Sequence, residues 1–288
     1  MLMLYTFYGD DFTGSTDVLE QLGGHGIPAV LFIGAPSAEH LAAFPNMQAV
    51  GIAGESRSRS PEWMSENLSA IFQTLRQFNA PVTHYKTCST FDSSPTTGSI
   101  GRALELGMEV FAAGGDAAPA LVPIVVGAPH LGRYVAFGNL YATNADGEVQ
   151  RIDRHPMSRH PVTPMHEADL RMHLAAQLST RPDTHARLKI GLIDDATLRA
   201  GVANHALDAC IAAGCPAVVF DTVDEVTQAE VGKLLWERAR QLPLFAVGSS
   251  GLTAALVPAW RAAGLASEQR SPVPLPKASP LLVVSGSC

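Results

Sequence analysis

Short apolar runs alternate with longer segments of helical period along this chain. Leu2 to Tyr8 is apolar and aromatic, the composition of a buried strand, and Gly9 ends it. Val18, Leu19 and Leu22 then keep helical spacing up to Gly23-Gly24, with Ser15 and Thr16 suited to the first turn. Residues 28–33, 48–53, 81–86 and 121–126 read as four further strands. Between them, 61–78 reads as a helix with Ser60 as cap, Pro61 at its first position and Met64, Leu68, Ile71, Phe72 and Leu75 on one face. Residues 96–113 read as a second long helix. This βαβα alternation predicts an α/β protein, a mostly parallel sheet with helices on both faces.

Residues 127–164 break the rhythm. Segments 134–143 and 148–153 flank Asn144-Ala-Asp-Gly147, which predicts an inserted β-hairpin turning at Asp146-Gly147. A proline-rich loop, 154–164, follows. The alternation then resumes with helix 165–178, strand 187–192, helix 195–213, strand 216–221, helix 224–240, strand 244–247 and helix 250–263. Residues 266–280 carry four prolines and read as a linker. Leu281 to Ser285 has the composition of another buried strand, with Ser285-Gly286-Ser287 as the turn after it. The expected organisation is one domain over 1–265, a linker over 266–280 and the first strand of a second domain over 281–288.

Composition narrows the function classes. The chain has 288 residues, 47% apolar and 16% charged, enough for a large core and too little charge for disorder. Its net charge is −7 and no basic stripe is visible, which argues against nucleic acid as a partner. No apolar run reaches the roughly 20 residues of a membrane span. The N-terminus lacks a basic region and a small-residue cleavage site, so a cytoplasmic location is expected. The four cysteines, Cys88, Cys210, Cys215 and Cys288, have neither a Cys-x-x-Cys pair nor a disulfide framework.

Candidate chemistry collects in strand-to-helix turns, where open parallel sheets bind ligands. Asp10 and Asp11 lie in the first. Beyond helix capping, two adjacent carboxylates suit hydroxyl binding, proton acceptance or Mg2+ coordination. The second loop, 86–98, opens with Lys86 and carries seven hydroxyl side chains from Thr87 to Thr97, the makings of an anion site. Arg133, in the loop 127–133, suits either a carboxylate or a surface acid. In the hairpin, Gly138 permits close backbone approach and Asn139 can bind hydroxyls. His155, His160 and His166 sit among prolines, without metal-ligand spacing, and no metal site is expected. Gly248-Ser249-Ser250-Gly251 is a further Gly/Ser turn that opens a helix.

Gly9-Asp-Asp-Phe-Thr-Gly-Ser-Thr-Asp17 resembles the N-terminal signature of the four-carbon acid sugar kinases, and Lys86-Thr-Cys-Ser-Thr-Phe-Asp-Ser-Ser94 resembles their second loop. Gly132-Arg133, Gly138-Asn139, His160-Pro-Val-Thr163 and Gly248-Ser-Ser-Gly251 fall in the family's order. The resemblance covers essentially the whole chain. It implies ATP- and Mg2+-dependent phosphorylation of a sugar acid, with an N-terminal acid-sugar domain and a C-terminal nucleotide domain that begins near 281–288. Such a chain would supply the substrate half and be inactive alone. Its partners would be a small sugar acid and the nucleotide domain, with the oligomeric state left open.

Carried over by resemblance, Asp10 and Asp11 are the catalytic candidates. The substrate-binding candidates are Thr13, Ser15, Lys86, Ser89, Thr90, Asp92, Ser93, Ser94, His130, Arg133, Asn139, Gly248, Ser249 and Ser250. Ser285, Gly286 and Ser287 are the nucleotide-binding ones. The acids should face sugar hydroxyls, and Lys86, Arg133 or the helix N-terminus near Ser93 and Ser94 should face the sugar carboxylate. Two other readings stay open: a non-catalytic binding or effector module, and a Mg2+-dependent hydrolase using Asp10 and Asp11. All four turns, 9–15, 86–98, 130–133 and 248–251, are expected at one sheet edge.

Overall fold

The computed structural model describes residues 3–112, 121–179 and 188–268. The expected linker beyond Glu268, the strand 281–288 and Ser285, Gly286 and Ser287 lie outside the described residues. The first half runs β1 (Tyr5–Gly9), α1 (Phe12–Gly24), β2 (Ala29–Ile33), α2 (Ala38–Ala42), β3 (Ala49–Ala53), α3 (Pro61–Arg76), β4 (Val82–Lys86), α4 (Ile100–Phe111) and β5 (Val122–Val125). An antiparallel insertion follows, β6 (Arg133–Ala136), β7 (Asn139–Thr143) and β8 (Val149–Arg151). The chain continues through α5 (Leu170–Ala175), β9 (Ile190–Ile193), α6 (Asp195–Arg199), α7 (Ala203–Ala212), β10 (Ala217–Phe220), α8 (Glu225–Ala239), β11 (Leu244–Gly248) and α9 (Ser250–Ala262).

Eight strands form one sheet in the order β2-β3-β1-β4-β11-β5-β10-β9, and every pairing within it is parallel. Their carboxyl ends therefore share one edge. Gly9 pairs with Ala53 on one side and Lys86 on the other, and Lys86 pairs with Gly248, so the turns after β3, β1, β4 and β11 are neighbours.

Each face of the sheet has its own core. On one, α3, α4 and α5 pack around Phe72, whose ring meets Tyr8, Tyr85 and Phe245. On the other, α1, α7, α8 and α9 pack around Trp260, which meets Tyr5 and Trp236 edge-on. Truncating such a ring to Ala costs about 3–5 kcal/mol. A buried polar string ties the strands together below the edge. His84 Nε2 donates to the Gly248 carbonyl at 3.0 Å, which leaves Nδ1 to accept from the Tyr5 hydroxyl at 2.7 Å. Burial pushes His84 down to about 3, so it stays neutral in this role.

The sequence-based element limits need four corrections. The arm 134–143 is itself a hairpin, β6 and β7, reversing at Phe137-Gly138 with φ of 53° and 77°. Both values suit a two-residue turn of the primed type, which Phe-Gly does not announce as Asn-Gly would. The helix 195–213 is two helices, because Gly201 sits at φ 71°. The helix 96–113 starts at Ile100, capped by Ser99, and the helix 165–178 shrinks to Leu170–Ala175. The short α2 was not expected.

α8 and α9 approach so closely that a Cβ on Gly232 would lie 1.6 Å from the Ala255 carbonyl oxygen. Gly232→Ala should therefore destabilise the chain by about 1–3 kcal/mol or more, as overpacking does. Urea unfolding measures it. An unchanged midpoint and slope would mean that the helices part freely.

Candidate active site

α1 belongs to one helix layer and α3 to the other, so the chain leaves the adjacent ends of β1 and β3 in opposite directions. A crevice opens where connections diverge in this way. Backbone bonds lace its floor. Gly54 N donates to Gly9 O at 3.0 Å, Asp10 N to Lys86 O at 2.9 Å and Arg57 N to Asp10 O at 3.0 Å.

The two acids of the first turn do different work. Asp11, not Ser15 or Thr16, caps α1. One of its carboxylate oxygens accepts from Gly14 N and the other from the Arg57 guanidinium. Asp10 is 3% exposed, and its Oδ1 is buried without a partner. Burial, and then the charge of Asp11, push Asp10 up to about 7, against the pull of Lys86 and Arg57. Asp10 and Arg57 line a cleft of about 290 Å³ with Phe12, Glu55, His160 and Val162.

Arg57 lines this cleft and the one adjoining it, and has no place in the sequence-based expectations. It sits in the turn after β3, and its guanidinium joins Asp11 to Asp92, reaching both Asp92 oxygens at 3.0 Å. Asp92 also accepts from the hydroxyls of Thr90 and Thr163. Burial would raise this carboxyl. Arg57 and the two hydroxyls outweigh it and hold Asp92 below its usual range. His160 Nδ1 lies 3.9 Å from Asp92 and accepts from the amides of Val162 and Thr163. The available signal was an arginine at a parallel-strand carboxyl end, in Gly54-Glu-Ser-Arg57.

A second cleft of about 490 Å³ adjoins the first and shares Asp11 and Arg57 with it. Thr13, Lys86, Cys88, Ser89 and Leu131 line it. Lys86 is buried and reaches Asp17 at 3.6 Å. Its ammonium passes Gly14 so closely that a Cβ there would sit 2.8 Å away. Arg133 is half-buried, donates to the carbonyls of Leu131 and Gly132 and has no carboxylate partner among the described ion pairs. Burial lowers it.

Several expected site residues hold structure instead. Ser15 is buried against Gly9 and donates to the Asp11 carbonyl at 2.7 Å. Ser93 joins His173 and Gln177 at 2.8 and 2.9 Å, and Ser94 accepts from the Thr97 amide at 2.9 Å. Ser249 caps α9 and donates to Val126 O at 2.7 Å, while Ser250 is fully buried with its hydroxyl unpartnered. The Gly248 carbonyl accepts from Thr87 N. Asn139 donates to Phe137 O, and His130 is exposed on a 3-10 turn. Another carboxylate that sequence reasoning passed over, Asp221, takes the amides of Phe137, Gly138 and Asp195, pinning the inserted sheet to β10.

Mg2+ fits this donor set poorly. Asp11 and Asp92 have both oxygens engaged, which leaves Asp10 alone. Among the described residues, no three His, Cys, Asp or Glu side chains gather where an ion could sit. Nor, among them, is any helix long and apolar enough to cross a membrane.

The family model of a sugar-binding N-terminal domain matches residues 5–256. A 3-oxo-isoapionate kinase of Paraburkholderia graminis is 47% identical over 290 residues, 99% of this chain and 58% of that protein. A 3-oxo-tetronate kinase of Methylobacterium radiotolerans is 31% identical over 88% of this chain and 54% of its own length. A solved protein of Salmonella typhimurium superposes with a TM-score of 0.74 at 27% identity, covering 91% of this chain and 57% of that one. The chain thus spans little more than half the length of these relatives.

Burial and the charge of Asp11 hold Asp10 at about 7 in the fold, above its ordinary value of 3.8, so ionisation costs the fold more than the unfolded chain. That cost is absent below about pH 4, grows as pH rises and is complete above about 7. Asp10→Asn should therefore stabilise the chain at pH 8 by up to about 4 kcal/mol, with the gain fading by pH 4. Urea unfolding at both pH values tests this; parallel pH profiles for parent and variant would contradict it.

Proposed function

The chain belongs to the sugar-binding N-terminal domains of the four-carbon acid sugar kinase family, and on that premise we propose that it carries the acid-sugar site of an ATP-dependent kinase. The observation that supports this most is the pairing of Asp10, buried with a free oxygen, with an adjoining cleft floored by Lys86. A sugar acid presents hydroxyls at one end and a carboxylate at the other. Lys86, with Ser89 beside it, receives the carboxylate, and Asp10 receives the hydroxyl to be phosphorylated. Asp10 takes the proton of that hydroxyl as its oxygen bonds to phosphorus and the leaving diphosphate departs. A carboxylate poised near neutral pH suits the role, since it holds a proton long enough to pass it on.

The substrate in this reading is a four-carbon or branched oxo acid of the kind for which the relatives are named. ATP and Mg2+ are held by the part of the relatives' length that lies outside the match. The chain alone then binds the acid without phosphorylating it, in a cytoplasmic metabolic role. The hydrolase reading is weaker, because Arg57 and Gly14 occupy Asp11.

Calorimetry with a four-carbon sugar acid such as threonate or its 3-oxo form tests the assignment. Asp10→Asn and Lys86→Met should each weaken binding about 10- to 100-fold, the scale of a lost hydrogen bond to a charged group. Parent-like affinity in both variants, or turnover of ATP by 1–288 alone, would overturn it.

A further inference from the structure

Arg57 touches all three acids of the site without being one of the groups a sugar acid needs. Its amide holds the Asp10 carbonyl at 3.0 Å, and its guanidinium holds Asp11 and Asp92. Its own backbone is pinned from the far side. A Cβ on Gly98, which has φ 59°, would lie 2.3 Å from the Arg57 carbonyl oxygen, and Gly98 N donates to Arg59 O at 2.7 Å. Any residue but glycine at 98 would push the 56–59 turn away from β1. The second loop therefore clamps Arg57 twice, through Asp92 and through Gly98.

We propose that Arg57 is the positioning residue for Asp10, fixing where that carboxylate stands and the electrostatic field in which it gains and loses its proton. The proposal rests on the reading of Asp10 as proton acceptor. Both terminal nitrogens of Arg57 are engaged by Asp11 and Asp92, so its side chain acts on the Asp10 carboxylate as a fixed neighbouring charge. With Asp11 it lines both clefts. The other charged and titratable groups that face Asp10 come from four directions. Its own strand and turn give Tyr8 and Asp11, β4 and its loop give Tyr85, Lys86 and Asp92, the turn after β3 gives Glu55, and the loop 154–164 brings His160 to the same cleft. Lys86 and Arg57 favour the charged carboxylate, while Asp11 and Asp92 oppose it.

The test is a 13C NMR titration of the Asp10 side-chain carboxyl in chain 1–288, with the signal assigned by its loss in Asp10→Asn. Arg57→Met should raise the Asp10 midpoint by about one pH unit, the scale set by an opposite charge nearby. Asp92→Asn should lower it, a reversal of sign that a merely structural role would not produce. Arg57→Lys should return the midpoint most of the way, because the charge remains. It should still bind a sugar acid about tenfold more weakly, since a lysine has one nitrogen where Arg57 uses two, one for Asp11 and one for Asp92.

If Arg57→Met fails to fold because Asp92 is left buried and unpaired, Asp92→Asn and the double variant Arg57→Met/Asp92→Asn give the same comparison, and the midpoint must be higher in the double variant. A midpoint unmoved by loss of Arg57 in either background overturns the role. The titration needs no substrate. Absence of sugar-acid binding by the parent would overturn the functional reading alone and leave the titration result intact.

Discussion

The site depends on gathering three carboxylates, two of them buried, at the end of an apolar sheet with one guanidinium between Asp11 and Asp92. Asp10 and Asp92 are almost fully buried, and isolated charges so placed would be neutralised or would unfold the edge. Arg57 resolves this for Asp11 and Asp92 by direct pairing. Asp10 is left without such a partner, and its carboxyl is correspondingly raised. The same geometry thus separates acids of one chemical type into two that are paired and one whose buried oxygen is left unpartnered.

Holding this arrangement requires that three turns approach each other without side-chain interference. Gly14 leaves room for the Lys86 ammonium and Gly98 for the Arg57 carbonyl. Below the turns, the parallel register of β3, β1, β4 and β11 brings their ends level, and the Tyr5–His84–Gly248 string locks them from within. The two aromatic layers on either face supply the apolar burial that offsets the strain of so polar an edge. Rigid strands beneath a charged, loop-built site are the usual way to keep functional groups in register.

The inserted sheet extends this logic to the far rim. Asp221 anchors its β6–β7 turn, and the loop that follows β8 delivers Thr163 and His160 to Asp92. An insertion that interrupts the βα rhythm in sequence therefore completes the site in space.

The alternation of strands and helices was legible from residue periodicity, because each element buries one face and the spacing of apolar residues records which. A shared edge for the strand ends followed from that, whereas the pairing of Gly9 with Lys86 depends on a strand order that the tertiary structure supplies. So does the approach of the first and second loops. Legibility failed where a residue's role depends on its neighbours in space. Asp10 and Asp11 are chemically identical in sequence, and only the direction of Arg57 and the start of α1 make one a cap and the other a free acid. Ser15, Ser93 and Ser249 read as ligand hydroxyls because serine suits both a ligand and a partner inside the fold, and only the tertiary structure shows the internal partner each one has. Arg57 carried no local mark, since a long side chain from one turn can reach acids 46 and 35 residues away along the chain. Sequence by itself determined the layers, the shared edge and the acids present on it. Tertiary structure alone decided which acid is paired and which is left open, because charge pairing and desolvation are set by distances that no linear pattern encodes.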